Sequence, residues 1–366
     1  MAGIYIHIPF CRSRCIYCGF YSTTRIELQQ RYVDALCREM EIRGTEVSTI
    51  YLGGGTPSLL SEKLLQQLFS AIYKYNKVDG EAEVTMEVNP DDVSPAFAEG
   101  LRMLPVNRVS MGAQTFSDKR LQFLHRRHTA QQVGMAVERL RAAGIRNISV
   151  DLMYGFPNET LSEWESDITR ALNLGVEHLS AYCLMIEEGT PLYRWVKDNG
   201  PWTMDEELER TMYETLTDRL TAAGYEHYEI SNFARPGFRS RHNASYWNDT
   251  PYIGIGAAAH SYDIRTRSWN SSNILQYIEG MEVGQRRFEE ELIDPVTRYN
   301  DRVTVALRTR EGLNLSLLSE QERDYCLSNA RRSIDNGLLC RHDNHLSLTR
   351  LGLFVSDMVM ADLIMV

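Results

Sequence analysis

Along the first half of the chain, short apolar runs alternate with longer segments in which apolar residues recur every three or four positions. The runs Gly3–Ile8, Ser48–Leu52, Glu83–Val88, Arg108–Gln114, Asn147–Tyr154 and His178–Met185 are rich in Val, Ile, Leu and Tyr and predict β-strands. The segments between them predict helices. Glu27–Ile42 is one; Gln131–Ala143 is another, with Thr129 and Gln132 spaced as a capping box and Gly144 as its stop. A third, Ser162–Leu174, puts Trp164, Ile168, Ala171 and Leu172 on one face. Six strand–helix repeats predict a parallel α/β sheet with helices outside it, and the near-continuous apolar character of the strands points to burial on both faces. Six units are too few for a closed eight-unit barrel.

After Met185 the repeat stops. Residues 186–201 read as a loop containing Gly189, Pro191 and Gly200, followed by a helix at Asp205–Ala223 and a strand at Tyr225–Phe233. From Asp294 the pattern becomes a short helical region, a hairpin-like pair at Gly337–Cys340 and Leu346–Thr349, and a final helix Gly352–Leu363. The chain thus divides into a repeat unit (1–185), a middle segment (186–290) and a small α+β unit of winged-helix type (291–366).

Composition narrows the function classes. With 43% hydrophobic and 24% charged residues the chain has an ordinary soluble composition, and no apolar run approaches the length of a membrane span. It opens on Gly3-Ile4-Tyr5 rather than on a basic signal peptide, which predicts a cytoplasmic protein. A net charge of −10 argues against binding a phosphate backbone through a general basic surface, so no nucleic-acid partner is expected.

Chemistry concentrates where the first strand ends. Of seven cysteines, Cys37, Cys183, Cys326 and Cys340 are scattered, whereas Cys11, Cys15 and Cys18 share one short loop with the spacing C-x3-C-x2-C. Three thiolates so close together predict a metal site. Tetrahedral zinc would lack a nearby fourth ligand, while a [4Fe–4S] cube accepts three protein thiolates and leaves one iron open to another molecule. This spacing, with Tyr17 before the third cysteine, resembles the cluster motif of radical S-adenosylmethionine (SAM) proteins. That resemblance implies an open six-stranded partial TIM barrel, a [4Fe–4S] cluster and SAM, whose reductive cleavage yields a 5′-deoxyadenosyl radical.

In such barrels functional groups lie at the C-terminal ends of strands, and these ends carry the family's remaining marks in order. The second strand ends in Gly53-Gly54-Gly55-Thr56-Pro57, similar to the GGTP motif that holds the methionyl amino group of SAM. Glu87 and Gln114 lie at the ends of the next two strands and Asp151 in the C-terminal half of the one after, where the family places a SAM-contacting acid, a polar ribose contact and a ribose-binding acid. Arg126, within His125-Arg126-Arg127-His128, stands where the family clamps the SAM carboxylate, although His125 replaces the usual glycine. Tyr5 is carried over as a residue beside SAM. Gly254–His260 looks like a dinucleotide fingerprint but lacks the surrounding strand–helix unit; the resemblance makes it a segment over the adenine side.

A second block, His242-Asn243-x-x-Tyr246-Trp247, resembles the marker of the HemW haem chaperones, a branch related to oxygen-independent coproporphyrinogen III dehydrogenase. The resemblance implies that His242, Asn243, Tyr246 and Trp247 meet haem, carried as cargo. The alternative is a dehydrogenase that decarboxylates porphyrinogen propionates through the radical. Three features favour the chaperone: the block itself, a short lead before the first strand, and Phe20 where the dehydrogenases have a further cysteine. The resemblance brings haem, haem-accepting proteins of unspecified identity, an electron donor, a homodimer and a peripheral membrane contact as partners to look for. It assigns no catalytic residue.

Overall fold

The computed structural model describes residues 2–199 and 205–366. Six parallel strands, β1 (Ala2–Ile8), β2 (Glu46–Gly54), β3 (Lys77–Val88), β4 (Arg108–Gln114), β5 (Asn147–Tyr154) and β6 (His178–Cys183), lie side by side in chain order. Helices cover their outer face, as the repeat predicts. The helix Ala130–Ala142 carries the expected Thr129/Gln132 capping box, and Leu161–Asn173 carries a second one from Thr160 and Glu163. Trp164, fully buried, donates its indole N–H to the Met212 carbonyl at 2.9 Å, which locks Leu161–Asn173 to the helix Glu206–Ala222.

The strands are buried on both faces, but they are not apolar on both. Ile4, Ile6 and Ile8 of β1, Val84, Met86 and Val88 of β3, and Val109, Met111 and Ala113 of β4 join the main core beneath the helices. Their alternates are polar: Thr49, Glu83, Thr85, Arg108, Ser110, Ser149, His178 and Ser180 are all buried. A period of two therefore sorts an apolar outer face from a polar inner one. Tyr, Gly and Ser at inner positions blur this alternation in the sequence, so the runs look near-continuously apolar. Several inner groups satisfy one another, whereas Thr85 Oγ1 and the Nε and Nη1 of Arg108 have no partner among the described residues. Ser149 Oγ lies 2.8 Å from His178 Nδ1, for example, and Tyr228 Oη 2.7 Å from His178 Nε2.

The middle segment extends both edges of this sheet to twelve strands. Tyr225–Phe233 is not one strand but an antiparallel pair, β7 (Glu226–Glu229) and β8 (Asn232–Ala234), the latter alongside β6. On the opposite edge β9 (Tyr252–Ile255) runs parallel to β1, and β10 (His260–Tyr262), β11 (Thr266–Asn270) and β12 (Phe288–Leu292) follow antiparallel. The fully buried Glu39 fastens this edge. It accepts from Gly256 N at 2.9 Å, Tyr277 Oη at 2.7 Å and Asn270 Nδ2 at 2.9 Å, and pairs with Arg43 at 2.9 Å.

Two further expectations change. Within the loop predicted over 186–201 the chain forms a helix, Pro191–Asn199, because Pro191 suits a first helical turn and Leu192 and Val196 bury one face; residues 200 and 201 lie outside the described residues. The C-terminal helix is two, Arg350–Phe354 and Ser356–Leu363, broken at Val355. The last unit has its own core, including Tyr299, Val303, Leu313, Leu346 and Leu363, around β13 (Leu313–Asn314), β14 (Leu339–His342) and β15 (His345–Leu348).

Candidate functional site

The cysteine loop leaves β1 at Ile8 and is pinned at several backbone points. Cys11 N donates to the Thr23 carbonyl at 2.9 Å, Ile16 N to Leu124 at 3.2 Å, and Leu192 N to Ile16 at 2.9 Å. Ile16 sits in a small apolar cluster with Leu124, Met153, Phe156, Leu184 and Leu192. The Pro191–Asn199 helix, absent from the sequence reading, thus braces the loop from behind.

The glycine run crosses directly against this loop. A Cβ on Gly55 would come within 2.7 Å of the Pro9 carbonyl carbon and 2.8 Å of the Phe10 oxygen, and Gly54 has φ +109° with the His7 ring 2.5 Å from where its Cβ would be. Only glycine permits this approach. It leaves a side-chain-free cradle of half-buried backbone at the mouth of the barrel. His7 itself is a neutral structural group: burial lowers its pKa to about 4, Nε2 donates to the Tyr21 carbonyl at 3.0 Å, and Nδ1 accepts from Tyr5 Oη at 3.0 Å. Tyr5 stacks on Tyr51, with ring centroids 6.1 Å apart.

Glu87, at the end of β3, accepts from Tyr51 Oη at 2.8 Å and from Gly54 N at 3.0 Å. Burial nevertheless raises its pKa to about 7, and the neighbouring Asp151 carboxylate adds to the rise. Burial likewise raises Asp151, which takes its hydrogen bonds from serines, Ser110 Oγ at 3.4 Å among them. Two carboxyl groups in one buried mouth favour a cationic guest. Gln114 ends β4 at φ 65°, a left-handed conformation costing a non-glycine residue about 1–2 kcal/mol. A shift of register between Gly112 and Gln114 accompanies it.

Of the two adjacent arginines, Arg126 is the one turned inward. Its Nη2 donates to Asn89 Oδ1 at 2.8 Å and the Gly112 carbonyl at 2.6 Å, Nη1 lies 3.7 Å from Cys15 Sγ, and its buried Nε has no acceptor among the described residues. Arg127 pairs outside with Asp91 at 3.0 Å and Asp92 at 3.1 Å. Thr56 Oγ1, 3.8 Å from Cys11 Sγ, is the second donor near a sulfur. All seven cysteines are free thiols, and burial pushes those of Cys11 and Cys18 upward. Among the described residues no group of His, Cys, Asp and Glu converges closely enough to hold a single ion, so the fit of a cluster rests on what surrounds the sulfurs. That surrounding suits one: hydrogen-bond donors to sulfur stabilise thiolate and cluster charge, and the glycine cradle, paired carboxyls and orphaned Arg126 Nε suit the amino and carboxylate ends of SAM.

The structure therefore brings Cys11, Cys15, Cys18, Tyr5, Gly54, Gly55, Thr56, Glu87, Gln114, Arg126 and Asp151 to one end of the barrel. It adds Tyr51 and Asn89, whose inward positions on β2 and just past β3 were the available sequence signal. The His242 block lies elsewhere. His242 is buried in the short helix Arg241–Tyr246, beneath the strands' N-terminal halves, against Thr49 and close to Gly3. Both its nitrogens are engaged, Nδ1 with Thr49 Oγ1 at 2.8 Å and Nε2 with Tyr246 Oη at 2.9 Å, and its ring stacks on Tyr51 at 5.1 Å. Burial lowers its pKa to about 3. The sequence leaves open whether His242 ligates haem iron or only neighbours the haem, and an iron-ligating role does not fit this arrangement, because neither nitrogen has a free lone pair directed outward. Glu83 receives the backbone N–H groups of Arg241 and His242, both at 2.9 Å, so the helix is a plug fastened into the barrel floor. Asn243 N caps onto Ser240 Oγ at 3.3 Å, and Trp247 stands at the outer end of the plug, with the Arg308 guanidinium 5.0 Å above its ring.

Known proteins agree with this architecture. The sequence model of the Radical SAM superfamily matches residues 5–171, which implies a [4Fe–4S] cluster and SAM binding, and that of the HemN C-terminal domain matches residues 293–355. The solved structure of coproporphyrinogen III oxidase (HemN) from Escherichia coli superimposes with a TM-score of 0.86 over 99% of this chain and 89% of its own, at 21% identity, which establishes a common fold. The Bacillus subtilis heme chaperone HemW is 39% identical over 76% of either chain, and the Escherichia coli protein of that name 38% identical over 70% of this chain and 69% of its own. The Mycobacterium tuberculosis heme chaperone HemW is 34% identical over 99% of this chain and 94% of its own length. With that identity held from end to end across barrel, plug and C-terminal unit alike, this chain belongs to the HemW family of radical SAM proteins.

Proposed function

We propose that this protein binds haem and delivers it to acceptor proteins. The observation that carries the reading is the end-to-end relationship with the Mycobacterium tuberculosis heme chaperone HemW, which spans every unit of the chain. Phe20 supports it: where the dehydrogenase branch has a further cysteine, this chain has an exposed phenylalanine. Cys11, Cys15 and Cys18 would hold the [4Fe–4S] cluster. Tyr5, Gly54, Gly55, Thr56, Glu87, Gln114, Arg126 and Asp151 would hold SAM. Bound together, cluster and SAM supply one-electron reductive chemistry. The chain's own part is to orient and shield: Arg126 ties the cysteine loop to the ends of β3 and β4, Glu87 offers a carboxylate to a cation, and the His242 plug closes the barrel floor against water.

The same reading includes an electron donor for the cluster and a cytoplasmic setting, in keeping with seven free thiols. Among the described residues no helix is long and apolar enough to cross a membrane. Homodimerisation and peripheral membrane contact belong to the proposal as points for measurement. Of the three-unit division, the boundary at about residue 290 is supported by the separate C-terminal core, whereas the segments on either side of residue 185 share one sheet and one core.

The test is to reconstitute the cluster anaerobically and offer haem to one sample and coproporphyrinogen III, SAM and reductant to another. A Soret band that passes to a haem-free acceptor such as apomyoglobin is the expected result. Catalytic conversion to protoporphyrinogen without haem uptake refutes it.

A further inference from the structure

The plug in the barrel floor is tied at both ends to the C-terminal unit, and the ties are charges. Arg239 stands one residue before Ser240, whose hydroxyl caps the helix Arg241–Tyr246, and it pairs with Glu311 at 2.7 Å as well as with Glu226 at 3.0 Å. Beyond the plug, Asp249 accepts from Arg302 at 3.1 Å and from Arg298 at 3.5 Å, two residues about one turn apart on the helix Pro295–Leu307. Between these flanks the Arg308 guanidinium covers Trp247 at 5.0 Å. The C-terminal unit thus lies across the outer end of the segment 239–249.

Two features make this joint separable. The unit keeps its own hydrophobic core, apart from that of the barrel, so the joint can loosen without opening either core. The joint is also imperfectly satisfied: Trp247 Nε1, Arg302 Nε and Arg308 Nε are buried without a partner among the described residues, a cost that a well-bonded interface does not carry. The ion pairs are partly exposed, hence individually weak and screened by salt. Backbone bonds hold elsewhere. Ile230 N donates to the Arg308 carbonyl and Arg310 N to the Tyr228 carbonyl, both at 3.0 Å, so the unit stays attached when the charges are lost.

We propose that the C-terminal unit is a charge-held clamp on the plug, and that weakening the Asp249 and Arg239 pairs lets the helix Arg241–Tyr246 leave the barrel floor while both folded units persist. The inner side of the plug is held separately, by the Glu83 carboxylate on the Arg241 and His242 N–H groups and by Thr49 Oγ1 on the His242 ring. Opening separates His242 from Glu83 and Thr49 and so frees its Nδ1. The clamp rests on the ion pairs and not on the chaperone reading; what it adds to that reading is a condition, the plug released, under which His242 has a ring nitrogen to offer.

The test is hydrogen–deuterium exchange of the full-length protein with its cluster reconstituted, read on the peptide containing residues 241–246 and on peptides of β3 and β4. Asp249→Asn removes the charge that Arg298 and Arg302 share and keeps a residue type that tolerates the φ of 61° found there. Exchange tracks the opening equilibrium, and losing two partly exposed pairs is expected to speed plug exchange roughly tenfold. Raising sodium chloride from about 0.05 M to about 0.5 M, which screens exposed pairs, is expected to bring wild type toward the variant's rate and to change the variant less. Arg239→Gln, at the other flank, gives a second acceleration that does not depend on Asp249. In every case exchange in β3 and β4 and the iron and sulfide content stay at wild-type levels. Plug exchange indifferent to both substitutions and to salt overturns the clamp, and so does an acceleration shared equally by β3 and β4, which is a loss of global stability. No haem enters the measurement, so its outcome stands apart from that of the chaperone reading.

Discussion

Glu87 offers the sharpest quantitative test of the barrel mouth. Burial holds its carboxyl at about 7 against an ordinary 4.5, despite two donors, Tyr51 Oη and Gly54 N. Each pKa unit corresponds to about 1.4 kcal/mol, so ionising Glu87 in the folded chain costs about 3 kcal/mol relative to the unfolded chain. The sign follows from the raised value. The protonated form is the comfortable one in the folded state, so the stability it gives is complete below pH 4.5 and is lost as pH rises through 7. Glu87→Gln removes this dependence while keeping the side chain's shape. Urea unfolding of both proteins in the same cluster state, from pH 4 to pH 8, should show wild-type stability falling relative to the variant by roughly 3 kcal/mol, levelling off above pH 7. If the Glu87 carboxylate receives a cationic group of SAM, binding at pH 7 should also release about half a proton in wild type and none in Glu87→Gln, measured by calorimetry in two buffers. A stability difference independent of pH would refute the burial argument, and SAM binding without proton release would refute the assignment of Glu87 to the cofactor.

Three further outcomes follow from the same geometry. Arg108 is buried, with no partner for Nε or Nη1 among the described residues, and its charge holds Glu87 down; Arg108→Met should move the midpoint of the Glu87 pH profile upward, read from the same unfolding series. Gly55→Ala drives a methyl into the backbone at Pro9 and Phe10, so it should cost about 1–3 kcal/mol of stability and lower the iron and sulfide bound per chain. Glu39→Leu leaves Arg43 and the Gly256 amide without their buried acceptor and should destabilise by about 3–5 kcal/mol in denaturant unfolding, without altering the cysteine loop directly.

The order of strands and helices in the first half, and the cysteine loop at the end of β1, are determined by local pattern, because strand periodicity, capping boxes and a C-x3-C-x2-C spacing are properties of neighbouring residues. Two strand ends could be placed for the same reason: Glu87 and Gln114 fall where successive apolar runs stop, while Asp151 interrupts the next run, within β5. Tertiary structure alone decided the rest. That Arg126 rather than Arg127 faces the sulfurs depends on the turn at His125, with φ 59°, and on acceptors from β3 and β4. That the middle segment widens the sheet at both edges depends on long-range pairing, β9 with β1 and β8 with β6, which no local period records. His242 is the clearest instance. Its motif was legible in the sequence, but its burial came from Thr49, Tyr51 and Glu83, residues far away in the chain that become neighbours only when the sheet forms. A histidine's chemistry is set by whether its ring nitrogens remain free, and here the fold occupies both.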